Sequence, residues 1–329
     1  MPDVCHRRCF FCHPLAGMAA PELTPEQRAE RLLSRLRSVR REETLTAVEL
    51  ALFGGPLEYG VGSGGVLDKA LRAARQEGLY DQLRVAVRPD LLSEARLERL
   101  LELGLTVVEL EVASLVPEVL ARMGDAHARV HLEDAYTRVR AAGRSLGISL
   151  RLGMPGARPA EELRQSAYLR SLRPDFVRLH PTLVLQDTWL ERELLTGRYV
   201  PWTLEEAVTQ CRLWLERLEE GALPVVRLGL QPVRDLGLKP GCVVGGPFHP
   251  SLRSLVETER MYERAARLLE RQSILGAHVL LKVARESESH LRGPENHNIQ
   301  RLRRRYRCAS LQVQVDPTLA RAELALESI

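Results

Sequence analysis

The chain has 329 residues, of which 45% are hydrophobic and 27% are charged; it can bury the core of one large or two smaller domains and does not have a disordered composition. Its net charge is only +4, and because Lys69, Lys239 and Lys282 are the sole lysines, arginine supplies nearly all the positive charge. No apolar run reaches the length of a membrane span and the N-terminus lacks a signal-peptide segment, so we expect a cytoplasmic protein.

The first motif of the chain is a cysteine cluster in 5-CHRRCFFCHP-14. Cys5, Cys9 and Cys12 have the spacing C-x3-C-x2-C, whereas the other three cysteines are scattered singly and are typical of small buried hydrophobes. Three thiolates on one loop can bind three irons of a [4Fe–4S] cluster and leave the fourth iron open to a small molecule. Zinc held by these thiolates and a histidine of the same stretch is the alternative, and the spacing alone does not separate the two.

Helices and strands alternate along most of the chain. A capping box, Thr24-Pro25-Glu26-Gln27, begins the first helix, which extends to about residue 41. Further helices are predicted up to about 76 and over 92–103, 115–122, 131–146, 159–171, 203–218 and 253–272, and strands over 47–53, 83–87, 106–112, 148–152, 175–179 and 225–230. The final part, about 276–315, is predicted as strand, polar loop, arginine-rich helix and strand. Strands that follow helices at this rhythm indicate parallel βαβ units, hence a barrel or a doubly wound sheet.

The cysteine spacing, with Phe11 directly before the third cysteine, resembles the signature of the radical SAM enzymes. Several later stretches are similar to the branch of that family related to the catalytic subunit of Elongator, and to its short bacterial members, which lack the acetyltransferase domain. These stretches are 84-RVAVRPDLL-92, 106-TVVELEVASL-115, 150-LRLGMPG-156, 173-RPDFVRLHPTLVLQDTWLERELLTGRYVPWTLEEAV-208, 226-VRLGLQP-232 and 245-GGPFHPSLRSLVE-257. The resemblance covers about residues 4–315. It implies an α/β fold, a partial (β/α)6 TIM-like barrel with a small α+β C-terminal extension.

The resemblance also implies two cofactors, a [4Fe–4S] cluster on Cys5, Cys9 and Cys12, and S-adenosylmethionine on its open iron. In this family one electron from the reduced cluster cleaves the sulfonium and releases a 5′-deoxyadenosyl radical, which abstracts a substrate hydrogen. We therefore expect an enzyme served by a one-electron donor of the flavodoxin or ferredoxin type. The Elongator branch makes tRNA a candidate substrate.

Four further residues are expected to bind S-adenosylmethionine because of their places in the family pattern. Gly54 and Gly55 end the first strand after the cysteine loop, where the family has a glycine pair against the methionine moiety, and glycine permits that close approach. Ser114 follows the strand 106–112, near the expected ribose. Arg178 matches an arginine often found in its strand and could hold a carboxylate or phosphate bidentately, with a salt bridge at the barrel rim as the alternative.

Three features depart from the family pattern. Only four residues precede Cys5, where the family has a strand and a proline-rich turn, so the first barrel strand is expected to be missing or truncated. Pro56 replaces the usual serine after the glycine pair and has no N–H to donate. Ala113 replaces the usual glutamine before Ser114. The departures at Pro56 and Ala113, together with the arginine-rich helix near the C-terminus, motivate an alternative function, a metal-stabilised RNA-binding or scaffold protein that has lost SAM chemistry.

Other polar residues are candidates for substrate contact. Arg151 ends a strand, His180 and Tyr199 match positions that are aromatic or polar in relatives, and His249 lies in a motif of the branch. A salt bridge for Arg151 and structural roles for the histidines are the alternatives.

The stretch 301-RLRRRYR-307, the arginine-rich segment, could follow a phosphate backbone with Tyr306 stacked on a base. Against RNA binding stand the general excess of arginine and the acidic residues nearby. For domain organisation, we expect a radical SAM partial-barrel core over residues 1–195. A C-terminal extension is expected over 196–329, packed on the barrel and ending in a small α+β element.

Overall fold

The computed structural model describes residues 24–41, 46–53, 61–122, 128–229, 241–272 and 276–328. The chain divides into two compact units. The first combines residues 1–204 with 214–250, and the second combines 205–213 with 251–329.

The first unit has the alternating helices and strands that the sequence predicts. Its elements, in chain order, are α1 (Pro25–Arg40), β1 (Glu49–Leu52), α2 (Val66–Gln76), β2 (Gln82–Val87), α3 (Glu94–Glu102), β3 (Leu105–Val112), α4 (Pro117–Arg122), α5 (Ala128–Ala141), β4 (Ser145–Leu152), α6 (Pro159–Arg164), α7 (Ser166–Leu172), β5 (Phe176–Pro181), β6 (Val184–Leu185), α8 (Trp189–Leu195), α9 (Leu204–Glu219, shared with the second unit), β7 (Val225–Leu228) and β8 (Val243–Gly245).

Six strands form one curled, half-barrel sheet in the order β1-β2-β3-β4-β5-β7. Every neighbouring pair in it is parallel. The predicted α/β class and partial barrel are therefore confirmed. The first barrel strand that the family pattern places before Cys5 would lie outside the described residues. The domain boundary after residue 195 stays a prediction; β7 lies beyond it and pairs with β5.

The two faces of this sheet differ in chemistry. One face carries buried leucine, isoleucine and valine side chains: Leu83, Val85, Val108, Leu110, Ile148, Leu150, Leu152, Val177 and Leu179. Because side chains alternate along a strand, the residues between them point to the opposite face. That face, which we name the charged face, carries Glu49, Arg84, Glu109, Glu111, Ser149, Arg151, Arg178, His180 and Arg227.

Two predicted helices have different boundaries in the structure. The helix predicted over 131–146 ends at Ala141, because Gly143 adopts a φ of 63° and β4 already begins at Ser145. The helix predicted over 159–171 is interrupted at Gln165, which separates α6 from α7.

The second unit is a small α+β fold, as predicted. Its elements are α10 (Leu252–Glu270), β9 (His278–Val283), α11 (Glu288–Arg292), α12 (His297–Arg305), β10 (Ser310–Val315) and β11 (Leu324–Ser328). β9 is central, with β10 parallel and β11 antiparallel to it. Buried residues of α10, α11 and α12 share one hydrophobic cluster with the sheet. In the parts of the chain just described, no helix combines the length and apolar character needed to cross a membrane.

Candidate functional site

The predicted cluster ligands and glycine pair lie outside the described residues. Cys5, Cys9, Cys12, Gly54 and Gly55 therefore keep their assignments as predictions. Across the described ranges, no group of three or more histidine, cysteine or acidic side chains is arranged to hold a metal ion. The N-terminal cysteines remain the donor set that the sequence favours.

A buried carboxylate organises the middle of the charged face. Glu109 on β3 is only 2% exposed, and its Oε1 lies 2.9 Å from both Arg84 Nη1 and Arg178 Nη2. Arg84 also binds Glu49 on β1, with 2.8 Å between Nη2 and Oε1. The Phe53 ring lies 5.4 Å from the Arg178 guanidinium. This Glu109 network (Glu49, Arg84, Glu109 and Arg178) links four strands, with Glu109 buried at its centre and Glu49 exposed at its edge.

Arg178 is thus ion-paired inside the sheet rather than at its rim. Burial lowers the pKa of Arg178, the Glu109 carboxylate opposes that shift, and the neighbouring Arg227 and Arg84 add to it. Its assignment to S-adenosylmethionine stays a prediction. Any ligand there would meet a guanidinium whose position Glu109 already fixes.

His180 lies further along the same face of β5. It pairs in register with Arg151 on β4. Burial, followed by the charges of Arg151, Arg227 and Arg178, lowers the pKa of His180 to about 3, although a hydrogen bond with the Gly229 backbone opposes the shift. The imidazole is therefore neutral near pH 7 and has no extra proton to donate there.

The turn after β4 is held by side chains from several directions. Gly153 has a φ of 72°, and a Cβ there would lie 2.8 Å from the Trp202 ring. Its N–H donates to both carboxylate oxygens of Glu162 at 3.0 Å, and its carbonyl accepts from the Tyr199 hydroxyl at 2.7 Å. These contacts fix the C-terminal end of β4 two residues after Arg151. The predicted polar candidate Tyr199 thus has a structural contact.

Substituting Gly153 by alanine is expected to destabilise the protein by about 2–4 kcal/mol, because the left-handed φ and the Trp202 contact both oppose a Cβ. Gly143→Ala is the matched control, since Gly143 has a φ of 63° but no atom within 4 Å of the place that a Cβ would occupy. Denaturant unfolding of both variants separates the two effects. If both variants lose the same free energy of unfolding, the Trp202 ring must shift to make room for the new methyl group.

Glu162 makes the same turn sensitive to pH. Burial raises the pKa of Glu162 to about 7 from its ordinary 4.5, against the opposing hydrogen bond from Gly153. Between these two values the folded state binds more protons than the unfolded state. The free energy of unfolding therefore falls as the pH rises from about 4.5 to 7, by up to about 3 kcal/mol from this group.

We expect Glu162→Gln to remove this loss, because a neutral amide does not ionise. Denaturant unfolding at pH 5 and pH 7.5 gives the change in the free energy of unfolding for the variant and for the unsubstituted protein. His180 has the opposite pH dependence but is present in both proteins, so its effect cancels when the two changes are compared. Glu161→Gln, a change at the neighbouring and more exposed carboxylate, is the control. It should leave the pH dependence of the free energy of unfolding unchanged. If Glu162→Gln loses as much stability between the two pH values as the unsubstituted protein, Glu162 is not the cause of that loss.

Ser114 is buried and its hydroxyl accepts a hydrogen bond from the Val116 N–H at 3.1 Å. It lines a small pocket with Arg151, Glu162 and Trp214. Its predicted contact with S-adenosylmethionine stays a prediction.

The arginine-rich segment is tied to acidic residues within the second unit. Arg301 binds Glu259 at 2.9 Å. Arg305 and the Tyr306 hydroxyl both contact Glu270, at 2.8 and 2.7 Å. These contacts favour a role in holding α12 against α10, and RNA binding by the segment stays a prediction.

Glu109 and Glu162 are site residues that the sequence did not single out. A signal exists for Glu109, because it is a charged residue at an alternate position of an apolar strand, as are Arg84 and Arg178. Glu162 has no such signal, since its surroundings depend on how α6 packs over the turn after β4.

Two sequence families match this chain. Residues 1–167 match the model of the Radical SAM superfamily, and residues 174–263 match that of the Radical_SAM C-terminal domain.

Among curated relatives, the tRNA uridine(34) acetyltransferase of Dehalococcoides mccartyi is 27% identical over an alignment of 235 residues that covers 61% of this chain and 51% of that protein. The protein of the same name from Methanocaldococcus infernus is 30% identical over 129 residues, 38% of this chain and 24% of that protein. The chain thus spans about half, or less, of the length of these relatives.

A solved structure shares the fold. The archaeal Methanocaldococcus infernus Elp3 with an N-terminal deletion superposes with a TM-score of 0.57 at 21% identity, over 73% of this chain and 59% of that one.

Proposed function

This chain belongs to the radical SAM superfamily of enzymes, and we propose that it binds one [4Fe–4S] cluster and S-adenosylmethionine to start a radical reaction on a nucleoside of tRNA. One observation carries the proposal. The C-x3-C-x2-C motif lies inside the segment, residues 1–167, that matches the superfamily. The spacing leaves the choice between iron–sulfur cluster and zinc open, and membership of this superfamily supports the cluster.

The residues available suit these cofactors. Cys5, Cys9 and Cys12 would hold three irons through thiolates, and three thiolates leave one iron open. Gly54 and Gly55 would let the backbone approach the methionine moiety. When bound, the cofactors supply a 5′-deoxyadenosyl radical by reductive cleavage, with the electron coming from a flavodoxin- or ferredoxin-like donor.

The described residues contribute a rigid polar surface for orienting a substrate. Glu109 fixes the guanidinium groups of Arg84 and Arg178, and the contacts of Gly153 fix the end of β4. Fixed charges and dipoles cost no reorganisation when a substrate binds. Because His180 is neutral near pH 7, this surface acts by orientation and exclusion of water rather than by donating an imidazolium proton.

The relatives support the proposed substrate class. Both relatives described above carry the name tRNA uridine(34) acetyltransferase, and the match to one of them covers 61% of this chain. A nucleoside of tRNA is therefore the proposed substrate.

Anaerobic purification followed by iron, sulfide and zinc analysis tests the proposal. We expect about four irons and four sulfides per chain, and release of 5′-deoxyadenosine when S-adenosylmethionine and a chemical reductant are added. Added tRNA should increase the turnover. Stoichiometric zinc without iron or sulfide would contradict the proposal and favour a metal-stabilised RNA-binding or scaffold protein.

A further inference from the structure

Two arginines face each other across neighbouring strands of the charged face. Arg178 on β5 and Arg227 on β7 are register partners in a parallel pair, so their side chains point to the same side. Arg151 and His180 are register partners between β4 and β5, one step further along. We name these four residues the basic cluster.

Within the basic cluster, the positive charge of Arg178 and Arg227 is incompletely balanced. The carboxylate oxygen of Glu109 that binds Arg178 also binds Arg84. Arg227 has no acidic partner among the residues that the structure describes, and its charge acts on Arg178 and His180. Like charges directly opposite each other on neighbouring strands are destabilising. An anion between Arg178 and Arg227 would reverse that repulsion.

His180 supplies a second, independent observation that points to a ligand, a buried nitrogen without a hydrogen-bond partner among the described residues. The side chain is 92% buried, since the residue is 8% exposed, and its Nδ1 has no hydrogen-bond partner in the described structure. The Gly229 N–H already donates to the Leu179 carbonyl, so in the hydrogen bond between His180 and the Gly229 backbone the ring donates to the Gly229 carbonyl. Because Nδ1 has no partner within the described ranges, the donor is the other nitrogen, Nε2. In a neutral imidazole with its proton on Nε2, Nδ1 is an acceptor. A buried acceptor without a donor is costly, and a ligand O–H or N–H would satisfy it.

We propose that the basic cluster binds a phosphate of the ribonucleotide substrate, with Arg178 and Arg227 donating to phosphate oxygens and His180 Nδ1 accepting from a hydroxyl of the same nucleotide. This inference rests on the proposed function, since it assigns part of that substrate to named residues. Two guanidinium groups on adjacent strands suit a tetrahedral oxyanion, which offers acceptors in several directions. A ribose phosphate carries such an oxyanion and a hydroxyl donor within one small group.

Calorimetric titration of the full chain, with its cluster reconstituted, compares uridine 5′-monophosphate with uridine. We expect the monophosphate to bind about tenfold more tightly. Arg227→Gln should remove most of that preference and Arg227→Lys should retain part of it. Arg164→Gln, at a 69% exposed arginine of α6, should preserve it. Equal affinities for the two ligands, or a preference that survives in Arg227→Gln, would overturn the inference.

His180→Phe tests the second contact, because it removes the acceptor while keeping a planar ring. This substitution should weaken the binding of uridine and of its monophosphate by a similar factor. Unchanged affinities would contradict the proposal that Nδ1 accepts a hydrogen bond from the nucleotide.

S-adenosylmethionine also carries an oxyanion, its carboxylate, and ribose hydroxyls. If Arg227→Gln weakens its binding as much as that of the monophosphate, the cluster belongs to the cofactor and the substrate assignment is wrong. Release of 5′-deoxyadenosine by the unsubstituted protein tests the proposed function separately. Its presence without a monophosphate preference defeats only this inference, whereas its absence with an intact preference defeats the proposed function.

Discussion

Cys9→Ala is expected to abolish cluster assembly and the release of 5′-deoxyadenosine. Cys9 is the central thiol of C-x3-C-x2-C, and two remaining thiolates would leave two irons of the cube without a protein ligand. Iron and sulfide should fall from about four of each per chain to well below one. The measurement is metal and sulfide analysis after anaerobic reconstitution, alongside chromatographic detection of 5′-deoxyadenosine.

Cys308→Ala is the matched control for this experiment. Cys308 is buried in the second unit, and burial raises the pKa of its thiol, so it is a poor metal ligand. Its variant should retain the full iron and sulfide content. If Cys9→Ala keeps either the cluster or the reductive cleavage, the N-terminal cysteines are not the ligands.

Glu109→Ala is expected to lower the free energy of unfolding by about 3–5 kcal/mol. Removing one member of a buried ionic group leaves its partners charged and unpaired, which is the most damaging way to break such a group. Here the Glu109 carboxylate is 2% exposed and contacts two guanidinium groups, on Arg84 and Arg178. Denaturant unfolding at neutral pH measures the loss.

A second substitution identifies the cause of that loss. After Glu109→Ala, Arg84 still has Glu49 as a partner, whereas Arg178 loses its ion pair. Combining Glu109→Ala with Arg178→Met removes that unpaired charge, so the double variant should lose less than the sum of the two single losses. Glu102→Ala breaks an ion pair with Arg72 in which the carboxylate is 57% exposed, and should cost less than about 1 kcal/mol. If Glu109→Ala lowers the free energy of unfolding as little as Glu102→Ala does, water must hydrate the guanidinium groups in place of the Glu109 carboxylate.

Local signals in the sequence predicted most of the first unit. The capping box sets the start of α1, since the Thr24 hydroxyl accepts from the Gln27 N–H at 3.2 Å and the Gln27 side chain accepts from the Thr24 N–H at 2.9 Å. The antiparallel pair β6–β8 could not be predicted, because strands of two and three residues carry no readable period. Its geometry depends on a close approach at Gly246, where a Cβ would lie 2.7 Å from the Thr182 carbonyl.

The charged face was only partly accessible from sequence. Period-two alternation places Arg84, Glu109 and Arg178 on one face of their strands. Their contacts depend also on the register between strands, which shifts between Leu83 and Arg84 in the β2–β3 pair and between Val177 and Arg178 in the β5–β7 pair. Such irregularities redirect side chains. They fall beside both arginines that bind Glu109, so the pairing could be seen only in the folded sheet.

The Glu109 network also has a consequence for how the chain finds its fold. If β3 slipped by one residue against its neighbours, Glu109 would turn into the layer of leucine and valine beneath the helices, where an unpaired carboxylate is strongly disfavoured. In the same event Arg178 would lose its counter-ion, and Arg84 would keep only Glu49. The Glu109 network therefore favours the native register of its four strands, and sheets with a slipped register are less stable even without a ligand.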